Sequence, residues 1–127
     1  QQAAKRMRDG GSIINIISIA AHKPSPGFGV YSAANMGMIS MTRTLSVELA
    51  SRGITVNCLA PGIIVTDMLT ETMKVSEKEA KAIFDEQIPL GRTGTPEDCA
   101  GAAVFFASPA ARWITGQFID VAGGQPN

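Results

Sequence analysis

Apolar residues fall along this chain in two rhythms, and the switch between them predicts its elements. Ile13, Ile14, Ile16 and Ile17 crowd into residues 12–17, a short β-branched run of the kind that forms a strand buried on both faces of a parallel sheet. Ser18 closes that run at its carboxyl end. Residues 19–29 contain Pro24, Pro26, Gly27 and Gly29 and are expected to be loop. No proline interrupts 30–52, where Tyr31, Ala34, Met38, Met41, Leu45 and Leu49 recur at three- and four-residue spacing. That spacing predicts a long amphipathic helix, with Gly53 as its stop. A second strand is expected over 54–59, broken by Pro61-Gly62.

Local start signals place the remaining helices. Ser76-Glu77-Lys78-Glu79 is a capping box opening a short helix that runs to about Glu86, within helical sequence expected over 67–86. Thr95-Pro96-Glu97-Asp98 combines a threonine cap, proline at the first helical position and acids in the first turn, opening a helix over 96–107. A third strand is expected at 117–121, before Gly123-Gly124. Residues 1–8 read as the tail of a helix with no cap before it, ended by Gly10-Gly11, so the chain is expected to begin partway through a larger unit. Strand, long helix, strand, helices, strand implies an α/β fold with a parallel sheet in βαβαβ order. With no repeat and no low-complexity linker, residues 1–127 are expected to form a single partial domain.

Composition narrows the function. The chain has 127 residues, 45% of them hydrophobic, enough apolar material for one core. Lys+Arg and Asp+Glu balance at 11 each, so no net field attracts nucleic acid or an anionic membrane. No segment approaches the roughly 18 unbroken apolar residues a membrane span needs, and the polar, basic start is unlike a signal peptide. Cys58 in a strand and Cys99 in a helix read as buried thiols of a reducing compartment rather than a disulfide. The cytoplasm is the expected location. No Cys/His cluster has metal-ligand spacing, so no metal is expected.

The chemistry gathers at Ser18 and Tyr31. A serine at a strand's carboxyl end sits where open α/β sheets bind their ligands, and Tyr31 opens the long helix. A serine and a tyrosine converging there can polarise a substrate oxygen and pass it a proton. The segments Gly11-Ser12-Ile13-Ile14-Asn15-Ile16-Ile17-Ser18 and Tyr31-Ser32-Ala33-Ala34 resemble the active site of the short-chain dehydrogenases/reductases. The resemblance continues through Arg52-Gly53-Ile54-Thr55-Val56-Asn57, Pro61-Gly62-Ile63-Ile64-Val65-Thr66, Pro89-Leu90-Gly91-Arg92, Thr95-Pro96-Glu97-Asp98, Thr115-Gly116-Gln117 and Val121-x-Gly123-Gly124. It covers the C-terminal half of that family's Rossmann-like sheet, a three-stranded portion lacking the first four strands.

The resemblance implies roles. Ser18 would hydrogen-bond the substrate oxygen, Tyr31 would act as its general acid/base, and Pro61, Gly62, Ile64 and Thr66 would lie along the nicotinamide of NAD or NADP. Read from residues alone, Pro61-Gly62 is equally a strand-ending turn. The implied reaction is hydride transfer between nicotinamide and the carbonyl/alcohol carbon of a small molecule, by a homo-oligomer partly packed through the face carrying Met38, Met41, Leu45 and Leu49. The family's pattern is Tyr-x-x-x-Lys, and here Asn35 takes the lysine position. A phenol ordinarily ionises only well above neutral pH. A unit charge about 5 Å away, at an effective dielectric near 20, favours the phenolate by roughly 3 kcal/mol. Asn35 can still hydrogen-bond a ribose hydroxyl but supplies no charge; Lys23, in the loop, is a remote substitute. His22 reads as a solvated loop residue or a substrate contact. The Gly-rich phosphate loop of the family has no counterpart, since Gly27-x-Gly29 precedes the Tyr31 helix. Hence the alternative expectation: a catalytically inactive truncated homologue or assembly module.

Overall fold

Three parallel strands frame the computed structural model, which describes residues 2–23 and 25–125; Pro24 of the expected loop and the first residue of the expected 1–8 helix tail lie outside them. The strands are β1 (Ser12–Ile16), β2 (Thr55–Pro61) and β3 (Phe118–Val121), side by side in that order. Ser12 stands opposite Thr55 and Ile16 opposite Leu59, while Cys58 faces Phe118 and Pro61 faces Val121. The expected α/β, Rossmann-like arrangement is the one observed. β2 is buried from Thr55 to Ala60, because helices cover both faces of the sheet. β1 is less buried than expected: Ile16 is 64% exposed, on a strand that forms a sheet edge among the described residues.

β2 also runs past its expected end, through Pro61. The N–H groups of Cys58 and Gly62 point to β3, donating to Gln117 and Val121 at 2.8 and 3.0 Å, whereas that of Thr55 points to β1. By this alternation the missing N–H of Pro61 would have faced the β1 side. The last bond there is Ile17 N–H to the Leu59 carbonyl, 2.8 Å, after which the chain turns away. Proline is tolerated where no ladder bond is required.

The helices are α1 (Gln2–Arg6), α2 (Gly29–Glu48), α3 (Asp67–Met73), α4 (Glu77–Phe84) and α5 (Pro96–Ala107). α2 covers one face of the sheet, where Ile39 packs in a cluster with Ile17, Ile19, Ala21, Cys58 and Ala60. α5 covers the other, where Phe106 meets Leu59 and Ala111. α5 begins where its cap signals placed it.

The face of α2 that meets the sheet is not its apolar stripe. The buried positions of α2 are Ile39, Thr42 and Ser46, one residue beyond the apolar stripe; Met38 and Met41 are exposed. Small polar residues fill the seam because the helix hydrogen-bonds the sheet: the Asn15 amide donates to Thr42 Oγ1 at 2.8 Å, and Thr42 Oγ1 lies 3.0 Å from Cys58 Sγ. The stretch 67–86 contains two helices, the second opened by the expected capping box. Lys74 adopts a left-handed backbone (φ 55°) that ends α3, and the capping box of Ser76 and Glu79 restarts the chain as α4. At the other end, Arg52 donates to the carbonyls of Ala4 and Met7 at 2.6 and 2.5 Å and to Asp9 at 2.8 Å, so a distant guanidinium finishes α1. Both cysteines are free, Cys58 buried and Cys99 half-buried. No described helix is long and apolar enough to cross a membrane.

Candidate functional site

Ser18 stands just beyond β1 and caps a 3-10 turn over Ile19–Ala21; its Oγ accepts from the Ala20 N–H at 3.2 Å. An accepted bond leaves the hydroxyl proton free to donate elsewhere. α2 packs directly on this turn, and Ile39 shares a core cluster with Ile19 and Ala21. The helix that carries Tyr31 is thereby fixed to the segment that carries Ser18. Tyr31 lies in the first turn of α2, half exposed, with its ring edge-on to Phe28 at 6.0 Å.

Asn35 follows one turn later, and its Nδ2 donates to the Tyr31 carbonyl at 2.8 Å. The side chain in the lysine position is therefore spent on its own helix and brings no charge to the phenol. Nothing places Lys23 as a substitute: its backbone N–H closes the turn onto Ile19 at 2.9 Å.

The Pro61–Thr66 segment leaves the carboxyl end of β2. Gly62 is required by packing rather than by backbone conformation: a Cβ there would stand 2.5 Å from Gln125 Oε1 and 2.7 Å from Ala122 Cβ. Gln125 Oε1 also accepts from the Ile63 N–H at 3.2 Å. Ile64 forms a parallel bridge to Gly94, and Thr66 is the N-cap of α3 without a side-chain capping bond. Its hydroxyl is not committed to the helix it begins. A simple strand-ending turn would need neither the Gly94 bridge nor the Gln125 bracket.

A cavity of about 330 Å³ opens at the carboxyl ends of β2 and β3, lined by Ile63, Ile64, Ile88, Leu90 and Asp120 among others. It shares Ile63 and Ile64 with the segment above but is not lined by Ser18, Tyr31 or Asn35. At its rim Arg92 and Asp98 form a two-pronged pair at 2.6 and 2.7 Å. That guanidinium, with the Thr95 N–H, holds the Asp98 carboxyl far below the usual carboxylate range. A smaller cavity of about 210 Å³ is lined by Thr66, Asp67, Thr70 and Ser76 among others. In the core, burial pushes the Cys58 thiol up, outweighing its bond to Thr42, so it is a packing residue rather than a nucleophile.

His22 is neither solvated nor loose. Its Nε2 lies 3.0 Å from Asp120 Oδ2, with side-chain exposures of 17% and 26%. Asp120 escaped the sequence reading because the two residues are 98 positions apart. Asn57 escaped it too: buried on β2, it donates to the Ile114 carbonyl and accepts from the Gln117 N–H, at 2.9 and 3.0 Å. Only the apolar surroundings of Asn57 in its strand hinted at such a role.

Comparison with known proteins places this geometry. A family model described as enoyl-(acyl carrier protein) reductase matches residues 1–125. The chain is 49% identical over 126 residues to a 3-oxoacyl-(acyl-carrier-protein) reductase of Rickettsia felis, covering 98% of this chain and 51% of that protein. It is 44% identical over 120 residues to human dehydrogenase/reductase SDR family member 4, covering 94% of this chain and 42% of that one. It thus spans about half the length of these relatives. Among solved structures, an NADPH-bound short chain oxidoreductase from Pseudomonas aeruginosa PAO1 containing an atypical catalytic center superimposes with a TM-score of 0.85. That structure is 32% identical, and the match covers 94% of this chain and 48% of that one. Strand order, the serine and tyrosine on their elements and the family match agree: this chain belongs to the short-chain dehydrogenase/reductase family.

Proposed function

We propose that the protein is an oxidoreductase that uses NAD or NADP to interconvert a small carbonyl compound and its alcohol. The observation that carries this reading is the docking of α2, with Tyr31 in its first turn, onto the turn capped by Ser18. Ser18 Oγ donates a hydrogen bond to the carbonyl oxygen, which gains negative charge as the carbon is reduced. Tyr31 Oη gives its proton to that oxygen and takes it back in the reverse direction. Nicotinamide, when bound, supplies or accepts the hydride.

The residues present suit the nicotinamide end of the cofactor. Gly62 keeps the chain close to β3, Pro61 and Ile64 offer apolar surface, and the uncommitted Thr66 hydroxyl suits a carboxamide. Asn35 retains a polar atom for a ribose hydroxyl. The pyrophosphate end is another matter: the start of α2 has no side-chain cap bond, and Gly27-x-Gly29 opens the tyrosine helix rather than following a strand.

A second reading, a family member without catalysis, is favoured by Asn35, whose amide is bound to the Tyr31 carbonyl. The Pseudomonas relative, NADPH-bound with an atypical center, supports the first reading, because a departure from the usual pattern there accompanies cofactor binding.

The test is titration with NADH and NADPH followed by nicotinamide fluorescence. Contacts limited to the nicotinamide end give a handful of hydrogen bonds of about 1 kcal/mol each, against several kcal/mol of lost freedom. The chain alone should therefore bind in the millimolar range, more weakly still as Thr66→Val. Binding indifferent to Thr66 and Tyr31 substitutions would remove the oxidoreductase reading, and micromolar affinity would overturn the limitation to the nicotinamide end.

A further inference from the structure

We infer that His22 and Asp120 are a positioning pair that sets where the Ser18 hydroxyl stands, an inference that rests on the proposed role of Ser18. From Ser18 onward the backbone is one hydrogen-bonded unit: Ala21 N–H bonds to the Ser18 carbonyl at 3.0 Å, and the N–H groups of His22 and Lys23 bond to Ile19 at 3.1 and 2.9 Å. The unit is tethered at both ends. At Ser18 it continues from β1; at its far end the His22 ring meets Asp120 on β3. β1 and β3 are not neighbours, since β2 lies between them. The pair therefore bridges the sheet from one edge to the other, at the carboxyl end of the strands.

The bridge is built in depth. The His22 ring lies against Phe118 at 5.6 Å, and Phe118 is covered in turn by the Arg43 guanidinium of α2 at 5.9 Å. Turn, last strand and tyrosine-bearing helix meet through these side chains. Ile19 and Ala21 are buried in one core cluster with Ile39 of α2. Burial of these two side chains is a non-directional restraint. The bond between ionisable groups at the turn's far end adds a directional one. Ser18 Oγ is itself bonded to Ala20 within the unit, so rotation of the turn carries the hydroxyl with it. A displacement of about 1 Å at a catalytic group can cost on the order of a hundredfold in rate.

The readout is amide hydrogen exchange at Ala20, whose N–H bonds to Ser18 Oγ, with Ser18→Ala marking the fully released value. His22→Ala and Asp120→Leu should each speed Ala20 exchange about tenfold, the factor that losing a hydrogen bond to a charged group carries. The double variant should be no faster than either single. His22→Gln, which keeps an N–H near the place of Nε2, should restore slow exchange; a merely space-filling role predicts no such rescue. Exchange in α5 should not change. Should either single variant fail to fold, the other still decides beside the wild-type and His22→Gln proteins: the inference requires slow exchange in those two and faster exchange in the remaining variant. Additive effects, equal exchange in Gln and Ala variants, or acceleration spread across the whole sheet would overturn it. Exchange needs neither cofactor nor turnover, so a protein with no reductase activity counts against the proposed reaction while the exchange pattern separately decides this pairing.

Discussion

In the proposed site, Asn35 occupies the family's lysine position without its charge. Its amide reaches back to the Tyr31 carbonyl, which a lysine ammonium would be free not to do. In the protein that shows turnover, Asn35→Lys is expected to raise the rate about a hundredfold at neutral pH, within the usual worth of positioned acid–base groups. The rising limb of the pH–rate profile should move to lower pH, because a cation one helical turn away favours phenolate. An unchanged rate and profile would mean that another group already activates Tyr31. Thr42 makes the opposite case, a polar residue fully buried and needed there. Replacing it with valine keeps the volume but removes the acceptor of the Asn15 amide, so Thr42→Val should cost about 1–3 kcal/mol in urea unfolding. A loss below about 0.5 kcal/mol would show that water or another acceptor takes its place.

At the scale of elements, caps proved the most readable features and sheet-facing surfaces the least. α5 starts with Thr95 and Asp98 satisfying each other's ends, while Arg92 grips the same carboxylate. The Asp98 carboxyl is thereby held far below its ordinary value of 3.8. A carboxylate depressed in the folded state adds stability above its unfolded value and loses it as pH falls through the folded one. Wild-type protein should therefore lose stability as pH drops below about 4, and Asp98→Asn should flatten that limb while lowering stability at neutral pH. Equal acid sensitivity of the two proteins would show that other carboxylates govern it. The α2 surface was harder to read because its stripe of methionines and leucines sits beside the buried seam, not on it. An apolar stripe normally marks the core; here Asn15, Thr42 and Cys58 joined by hydrogen bonds define the contact instead.

Across the whole molecule, much apolar surface remains uncovered. Trp113 is 96% exposed and Met41 55%, and β1 presents an edge on which Ile16 is open. Exposed strand edges and apolar patches promote association. The 127-residue chain should therefore self-associate at micromolar concentration, with weaker association in a Met41→Glu variant, as followed by light scattering. A stable monomer across that range would contradict this. The relatives it matches are about twice as long, in keeping with a sheet whose β1 edge can accept further strands.

What the sequence by itself determined is the kind and order of the elements, and with them the family. Caps, glycine stops and β-branched runs act within about four residues, so Ser76, Thr95-Pro96 and Gly53 could be read without knowing the fold. The positions of Ser18 and Tyr31 were legible for the same reason, each at the end of an element. Tertiary structure alone decided which face of α2 meets the sheet, that Arg52 closes α1, that Gly62 must clear Ala122, and that His22 finds Asp120 from 98 positions away. Those outcomes depend on ångström-scale approach between segments far apart in the chain. Local preference does not encode such distances; close packing does.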